Sequence, residues 1–188
     1  MIQEMNMHPH LKLILGPMFA GKSSYLLAEE RKCKIAKRSV VCVKHALDQR
    51  YTEGTEIVTH NRHTSSAPSY ASTTLIDIFE HLLEYDVILI DEGQFFVDLL
   101  LAYELVTRGK YVVVAGLSSD FKRESFESIH QLYPKADFVI QLNAICTKCG
   151  SDAPFTCRTK HESSSSDLQT LVGGVETYEP RCRTCFSL

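Results

Sequence analysis

Two side chains with evident chemical capacity, Lys22 and Ser23, close the run Gly16-Pro-Met-Phe-Ala-Gly-Lys-Ser23. Its G-x-x-x-x-G-K-S spacing is that of a phosphate-binding loop when a strand precedes it and a helix follows. Glycines let successive backbone N–H groups turn inward onto phosphate oxygens. The backbone of Gly16, Met18, Phe19, Ala20 and Gly21 would wrap a polyphosphate, Lys22 would place a point charge on its outer groups, and the Ser23 hydroxyl would ligate magnesium. A second reactive pair, Asp91-Glu92, ends the apolar run Val87-Ile-Leu-Ile90. A carboxylate at such a strand tip can hold magnesium, which assigns Asp91 to the metal together with Ser23. Glu92 lies one residue further and faces elsewhere, so it is free to take a proton from an attacking hydroxyl or water. The third group is Cys146-Thr-Lys-Cys149 and Cys182-Arg-Thr-Cys185, two C-x-x-C pairs separated by residues 150–181. Four thiolates suit a closed tetrahedral zinc site; a redox dithiol would need one pair only, and an iron–sulfur cluster is the other metal option.

The elements that must position these groups follow from the apolar pattern. Short buried runs at about 10–15, 39–44, 86–90, 111–115 and 137–142 read as strands. Helical stretches are expected at 24–35, 73–83 (with Thr73 as its cap), 97–108 (stopped by Gly109) and 125–132. The charged stretch Glu29-Glu-Arg-Lys-Cys-Lys34 is expected to face solvent, with Cys33 as a packing residue and Cys42 as inert core. Residues 56–59 read as a short strand and His60-Asn-Arg-His63 as an exposed polar loop. This alternation predicts an α/β fold with a mostly parallel, doubly wound sheet over residues 10–143. Residues 144–188 form a small appended zinc-clamped region, in which the Ser163–Ser166 run and Gly173-Gly174 need both ends fastened. Cys157 falls inside that loop as a bystander. Asp48-Gln-Arg-Tyr51 follows the second strand at a carboxyl end, where such sheets bind ligands; a surface Asp–Arg pair is the alternative.

Composition limits the options. At 188 residues the chain is one domain with at most a small appendage. A net charge of −3 offers no global attraction for nucleic acid or an anionic membrane. No apolar run is long enough to cross a bilayer, and the first ten residues read as neither signal nor transit peptide. Seven cysteines in a chain read as cytoplasmic point to metal rather than disulfides.

Taken together, the phosphate loop, Asp48-Gln-Arg-Tyr51, Asp91-Glu-Gly-Gln-Phe-Phe96, the two cysteine pairs, and Gly173-Gly174 with Tyr178 before Cys182 resemble the cytosolic, zinc-containing (type II) thymidine kinase family. The resemblance runs from about Leu11 to Cys185. It implies a RecA-like phosphate-loop domain and transfer of the ATP γ-phosphoryl group to the 5′-hydroxyl of thymidine. It also implies structural zinc, magnesium with ATP, feedback by thymidine triphosphate, and a homotetramer. By position, Glu92 would be the general base and Arg50 would lie by the 5′-hydroxyl and the transferring phosphate. Leu171, Val172 and Gly173 would read the base from a lasso-like loop that Tyr178 closes. Met18, Phe95, Leu117, Phe121, Phe126 and Thr156 would line the base and sugar pocket. One departure stands out: Leu117-Ser-Ser-Asp-Phe121 replaces the family's Leu-Asp-Gly-Thr-Phe, which displaces the acidic residue. Loss of one zinc thiolate is expected to weaken thymidine binding more than ATP binding. A nucleic-acid-dependent RecA-like ATPase, or a nucleotide switch whose zinc region docks a partner, shares the loop and the cysteines; thymidine-dependent ADP formation separates the three.

Overall fold

The structure is a computed structural model that describes residues 8–47, 64–159 and 177–186. Among these, six strands form the central sheet: β1 (His10–Gly16), β2 (Val40–His45), β3 (Ser69–Ser72), β4 (Val87–Ile90), β5 (Tyr111–Leu117) and β6 (Phe138–Gln141). Their order is β3-β2-β4-β5-β1-β6, and every pairing is parallel. Helices α1 (Lys22–Ile35), α2 (Phe79–Leu82), α3 (Leu101–Thr107) and α4 (Glu127–Leu132) fall between strands. Side chains alternate across each strand, so both faces must be covered. Leu11, Leu13, Leu15, Val41, Val43, Ile88 and Ile90 face one core with α2, α3 and α4. Ile14, Val40, Cys42, Leu89 and Val113 face a second core closed by Leu26, Leu27 and Cys33 of α1. The predicted α/β class with a parallel sheet is what forms.

After β6 the chain changes character. β7 (Ala144–Ile145) pairs antiparallel with β8 (Asp152–Ala153), β9 (Phe155–Arg158) pairs antiparallel with β10 (Tyr178–Arg181), and α5 (Arg183–Phe186) follows.

Some local expectations change. Glu29 and Glu30 were expected on a wet face but are 4% and 3% exposed. Both are buried because partners wait for them, on the sheet for Glu29 and on α1 and the segment before β3 for Glu30. Glu29 accepts from Lys12 (3.1 Å), Lys32 (2.9 Å) and the Tyr111 hydroxyl (2.8 Å), and Glu30 accepts from Lys34 (2.7 Å) and the Ser66 amide (3.1 Å). Burial alone would raise both carboxyls, but these donors hold them below their usual range. Cys33 and Cys42 are core thiols, and burial pushes them up to about 11 and about 12. The helix expected at 73–83 is a 3₁₀ turn (Ile76–Ile78) running into α2, and its start is held by Asp98, which accepts from the Leu75 and Ile76 amides at 3.0 and 2.9 Å. Helix α3 begins at Leu101, preceded by turns at 97–100. Strand β3, Ser-Tyr-Ala-Ser, has no apolar run and was not expected. Among the described residues no helix is long and apolar enough to cross a membrane.

Candidate active site

Because all six strands run the same way, their carboxyl ends share one edge of the sheet. Register brings the key residues there: Gly16 pairs with Leu117, and Ile90 pairs with Val43 on one side and Val114 on the other. The loop from Gly16 to Lys22 turns sharply, with Phe19 at φ 65° and Gly21 at φ 81°. Gly21 needs the left-handed freedom of glycine; Gly16 needs its size, since a Cβ there would sit 2.6 Å from the Leu142 carbonyl oxygen. Helix α1 starts at Lys22 with no side-chain cap and no acidic residue in its first turn. Its 14 residues aim the positive end of their dipole into the loop. The buried Lys22 lays its Nζ on the Pro17 carbonyl at 2.7 Å, within the loop, and half-buried Ser23 follows it.

The carboxylate pair is built by a change of direction. The Asp91 amide donates to the Val43 carbonyl at 2.8 Å, which extends the ladder by one residue. Glu92 then takes φ 52°, so its side chain leaves the strand's alternation. Its amide donates to Asp91 Oδ1 at 3.0 Å. Asp91 is 5% and Glu92 7% exposed. A buried carboxylate needs hydrogen-bond donors; Glu92 Oε2 receives Gln94 Nε2 at 2.5 Å.

Opposite the loop stands the cysteine-bearing region. The Met18 amide donates to Thr156 Oγ1 at 3.0 Å, and Phe19 and Ala20 pack on Ala144, Cys146 and Ala153. The Arg158 guanidinium lies over the Phe121 ring at 3.9 Å and over the Tyr178 ring at 5.8 Å, and its Nη2 donates to the Tyr178 hydroxyl at 3.4 Å. Met18, Thr156, Phe121 and Tyr178 are thus joined in one wall. Phe126 is buried in the core beneath the sheet, where Leu117 packs at its margin. Phe95 lies half-buried with its ring 5.7 Å from His45. In the divergent loop, Asp120 is 4% exposed and accepts from the Lys122 and Glu124 amides, both at 2.8 Å. The displaced acidic residue therefore folds the loop itself. Arg50, Leu171, Val172 and Gly173, with the 56–59 strand, the His60–His63 loop and the Ser163–Ser166 run, lie outside the described residues.

The four cysteines converge. The Cys146 amide donates to the Ser151 carbonyl at 2.8 Å and the Gly150 amide to the Cys146 carbonyl at 2.9 Å, which folds the first pair into a tight knuckle; Gly150 has φ 76°. The second pair spans the entry to α5, where the Cys185 amide donates to Cys182 Sγ at 3.4 Å. All four sulfurs lie within 4.8 Å of one another. A tetrahedral zinc with bonds of ~2.3 Å needs sulfur–sulfur edges of about 3.8 Å. Cys149 and Cys182 already stand 3.6 Å apart, so the donor set fits. Backbone donors, that of Cys182 foremost, bring the Cys146 thiol down to about 6, and Ser151 lowers Cys149, while burial pushes Cys185 up to about 12. Cys157 lies outside the cluster, as expected.

Sequence reading attached no role to Gln94, Arg158 or Asp120. Gln94 stands within the Asp91–Phe96 string, but its partners are visible only in the fold.

The family model described as "Thymidine kinase" matches residues 9–186. The thymidine kinases of variola virus, raccoon poxvirus and vaccinia virus (strain Western Reserve) are each 38% identical over 178 residues, covering 94% of this chain and 96% of theirs.

Proposed function

Because the chain belongs to the thymidine kinase family, we propose that it transfers the γ-phosphoryl group of ATP to the 5′-hydroxyl of thymidine at the carboxyl edge of the parallel sheet. The observation that carries the site assignment is the convergence of three parts at that edge: the Gly16–Ser23 loop, the buried Asp91–Glu92 pair, and the wall of Met18, Thr156, Phe121 and Tyr178.

Phosphoryl transfer asks chiefly for alignment and neutralised charge. The loop amides and the α1 terminus bind the polyphosphate, with Lys22 on its outer oxygens. Ser23 and Asp91 offer the hard oxygen donors that suit magnesium, which would supply charge neutralisation on the phosphates. Glu92 accepts the proton of the nucleoside 5′-hydroxyl as its oxygen bonds to the γ-phosphorus and the bond from that phosphorus to the bridging oxygen breaks, releasing ADP. Arg50 steadies the transferring group, while Leu171, Val172 and Gly173 read the base, with Phe95 and Leu117 completing the pocket. The four cysteines hold a structural zinc. Residues 10–143 form the nucleotide domain and 144–188 the zinc region. The remaining family traits, namely cytoplasmic location, feedback by thymidine triphosphate and tetramer formation, are part of the same reading.

The test is Glu92→Gln. Turnover should fall by roughly two to four orders of magnitude while thymidine still binds. Turnover near that of the parent chain would remove Glu92 from the role of base.

A further inference from the structure

Gln94 is 5% exposed and commits both ends of its amide. Nε2 donates to Glu92 Oε2 at 2.5 Å, and Oε1 accepts from the Leu117 amide at 3.0 Å. The assignment of the two ends is chemically forced: a backbone N–H can only donate, so the oxygen must face Leu117 and the NH₂ must face the carboxylate. Gln94 is itself held, since its carbonyl accepts from Ser128 Oγ at 3.3 Å. Glycines on either side keep the packing tight. A Cβ on Gly116 would sit 3.2 Å from Gln94 Oε1, and a Cβ on Gly93 would sit 2.5 Å from Val114 Cγ1.

Glu92 needs such a partner. Its left-handed backbone aims the side chain away from the strand, and three rotatable bonds separate the carboxylate from the backbone. A base that must meet a hydroxyl within hydrogen-bond distance gains from being held there beforehand. Leu117 ends β5 and leads into the loop carrying Phe121 and Phe126.

We propose that Gln94 is a positioning residue that fixes the Glu92 carboxylate through Nε2 and ties it through Oε1 to the Leu117 amide, so that base and nucleoside wall keep one spacing. This rests on the reading of Glu92 as the base. Gln94 acts through Glu92.

The experiment is a double-mutant cycle on the full chain. Gln94→Met keeps the length and removes both hydrogen bonds; Gln94→Glu keeps an acceptor for the Leu117 amide and replaces the donor with a second carboxylate. Each is made in the parent chain and in Glu92→Gln, and turnover, both KM values and melting temperature are measured. In the parent background, Gln94→Met should lower kcat roughly 10- to 100-fold, the effect of losing a hydrogen bond to a charged group, with both KM values within about threefold. In the Glu92→Gln background the same change should cost less than about threefold, because the group it positions is gone. Gln94→Glu removes the same donor and sets a second carboxylate against Glu92, so it should lower kcat at least as much as Gln94→Met in the parent chain but by less than about threefold in Glu92→Gln; this variant carries the test if Gln94→Met does not fold. Equal losses in both backgrounds would show a structural role only and overturn the proposal. Near-parental turnover in Glu92→Gln alone would instead overturn the base assignment beneath it.

Discussion

Replacing Thr156 by Val probes the joint between the phosphate loop and the cysteine-bearing region. The Met18 amide reaches Thr156 Oγ1 at 3.0 Å, and the two residues are 8% and 3% exposed. Valine keeps the branched shape and removes the acceptor, so the Met18 N–H stays buried with its partner gone. Leaving a buried donor unmatched costs about 1–3 kcal/mol. For a chain of this size each kcal/mol lowers the melting temperature by about 2–4 °C, so a fall of roughly 2–12 °C is expected. The bond also fixes the loop between Gly16 and Lys22, so part of the same energy should be read in the KM values for ATP and thymidine. A rise of about tenfold corresponds to ~1.4 kcal/mol. Differential scanning fluorimetry and steady-state kinetics measure both, and Thr156→Ser should restore both by returning the hydroxyl. If Thr156→Val melts within about 1 °C of the parent chain and its KM values stay within about twofold, the bond does not brace the loop, and the reasoning fails.

Further predictions follow from other contacts. The chain should bind one zinc per molecule, measurable by elemental analysis. Its removal by a strong chelator should weaken ATP binding as well as thymidine binding, because Phe19 and Ala20 of the phosphate loop pack on Ala144, Cys146 and Ala153. This shared packing goes beyond the sequence-based expectation of an effect mainly on thymidine, and an unchanged ATP affinity after zinc loss would contradict it. Gly16→Ala places a Cβ 2.6 Å from the Leu142 carbonyl oxygen, a backbone atom that cannot swing aside. It should cost about 1–3 kcal/mol of stability by overpacking, read as a lower melting temperature with impaired ATP binding; an unshifted melting curve would count against it. Glu29 is held below its usual carboxyl range when folded. It therefore contributes stability above the unfolded carboxyl pKa, and that contribution is lost as pH falls through the folded value. Glu29→Gln should flatten the acid side of a stability–pH curve, and a variant with the parent's slope below about pH 4.5 would refute this.

Much of the site was legible because its signals are local. The G-x-x-x-x-G-K-S spacing fixes a loop geometry within eight residues, and an apolar run ending in Asp-Glu marks a strand tip wherever that strand lies in the sheet. Two C-x-x-C pairs announce a metal whatever the loop between them does. The α/β class followed from alternating apolar runs for the same reason. What failed was local reasoning about polar residues. Glu29 looked solvated because no neighbour in sequence reveals Tyr111, 82 residues away, as its partner. Strand β3 has no apolar alternation and is recruited by pairing with β2.

By itself, then, the amino-acid order determined which chemistry the chain can carry: a phosphate loop, a strand-tip carboxylate pair and four metal-seeking thiols. Only the tertiary structure decided how those parts are held. Gln94 meets Leu117 across 23 residues and Met18 meets Thr156 across 138. A buried hydrogen bond depends on atoms brought within about 3 Å by the whole fold, and no periodicity or spacing in the chain encodes that distance.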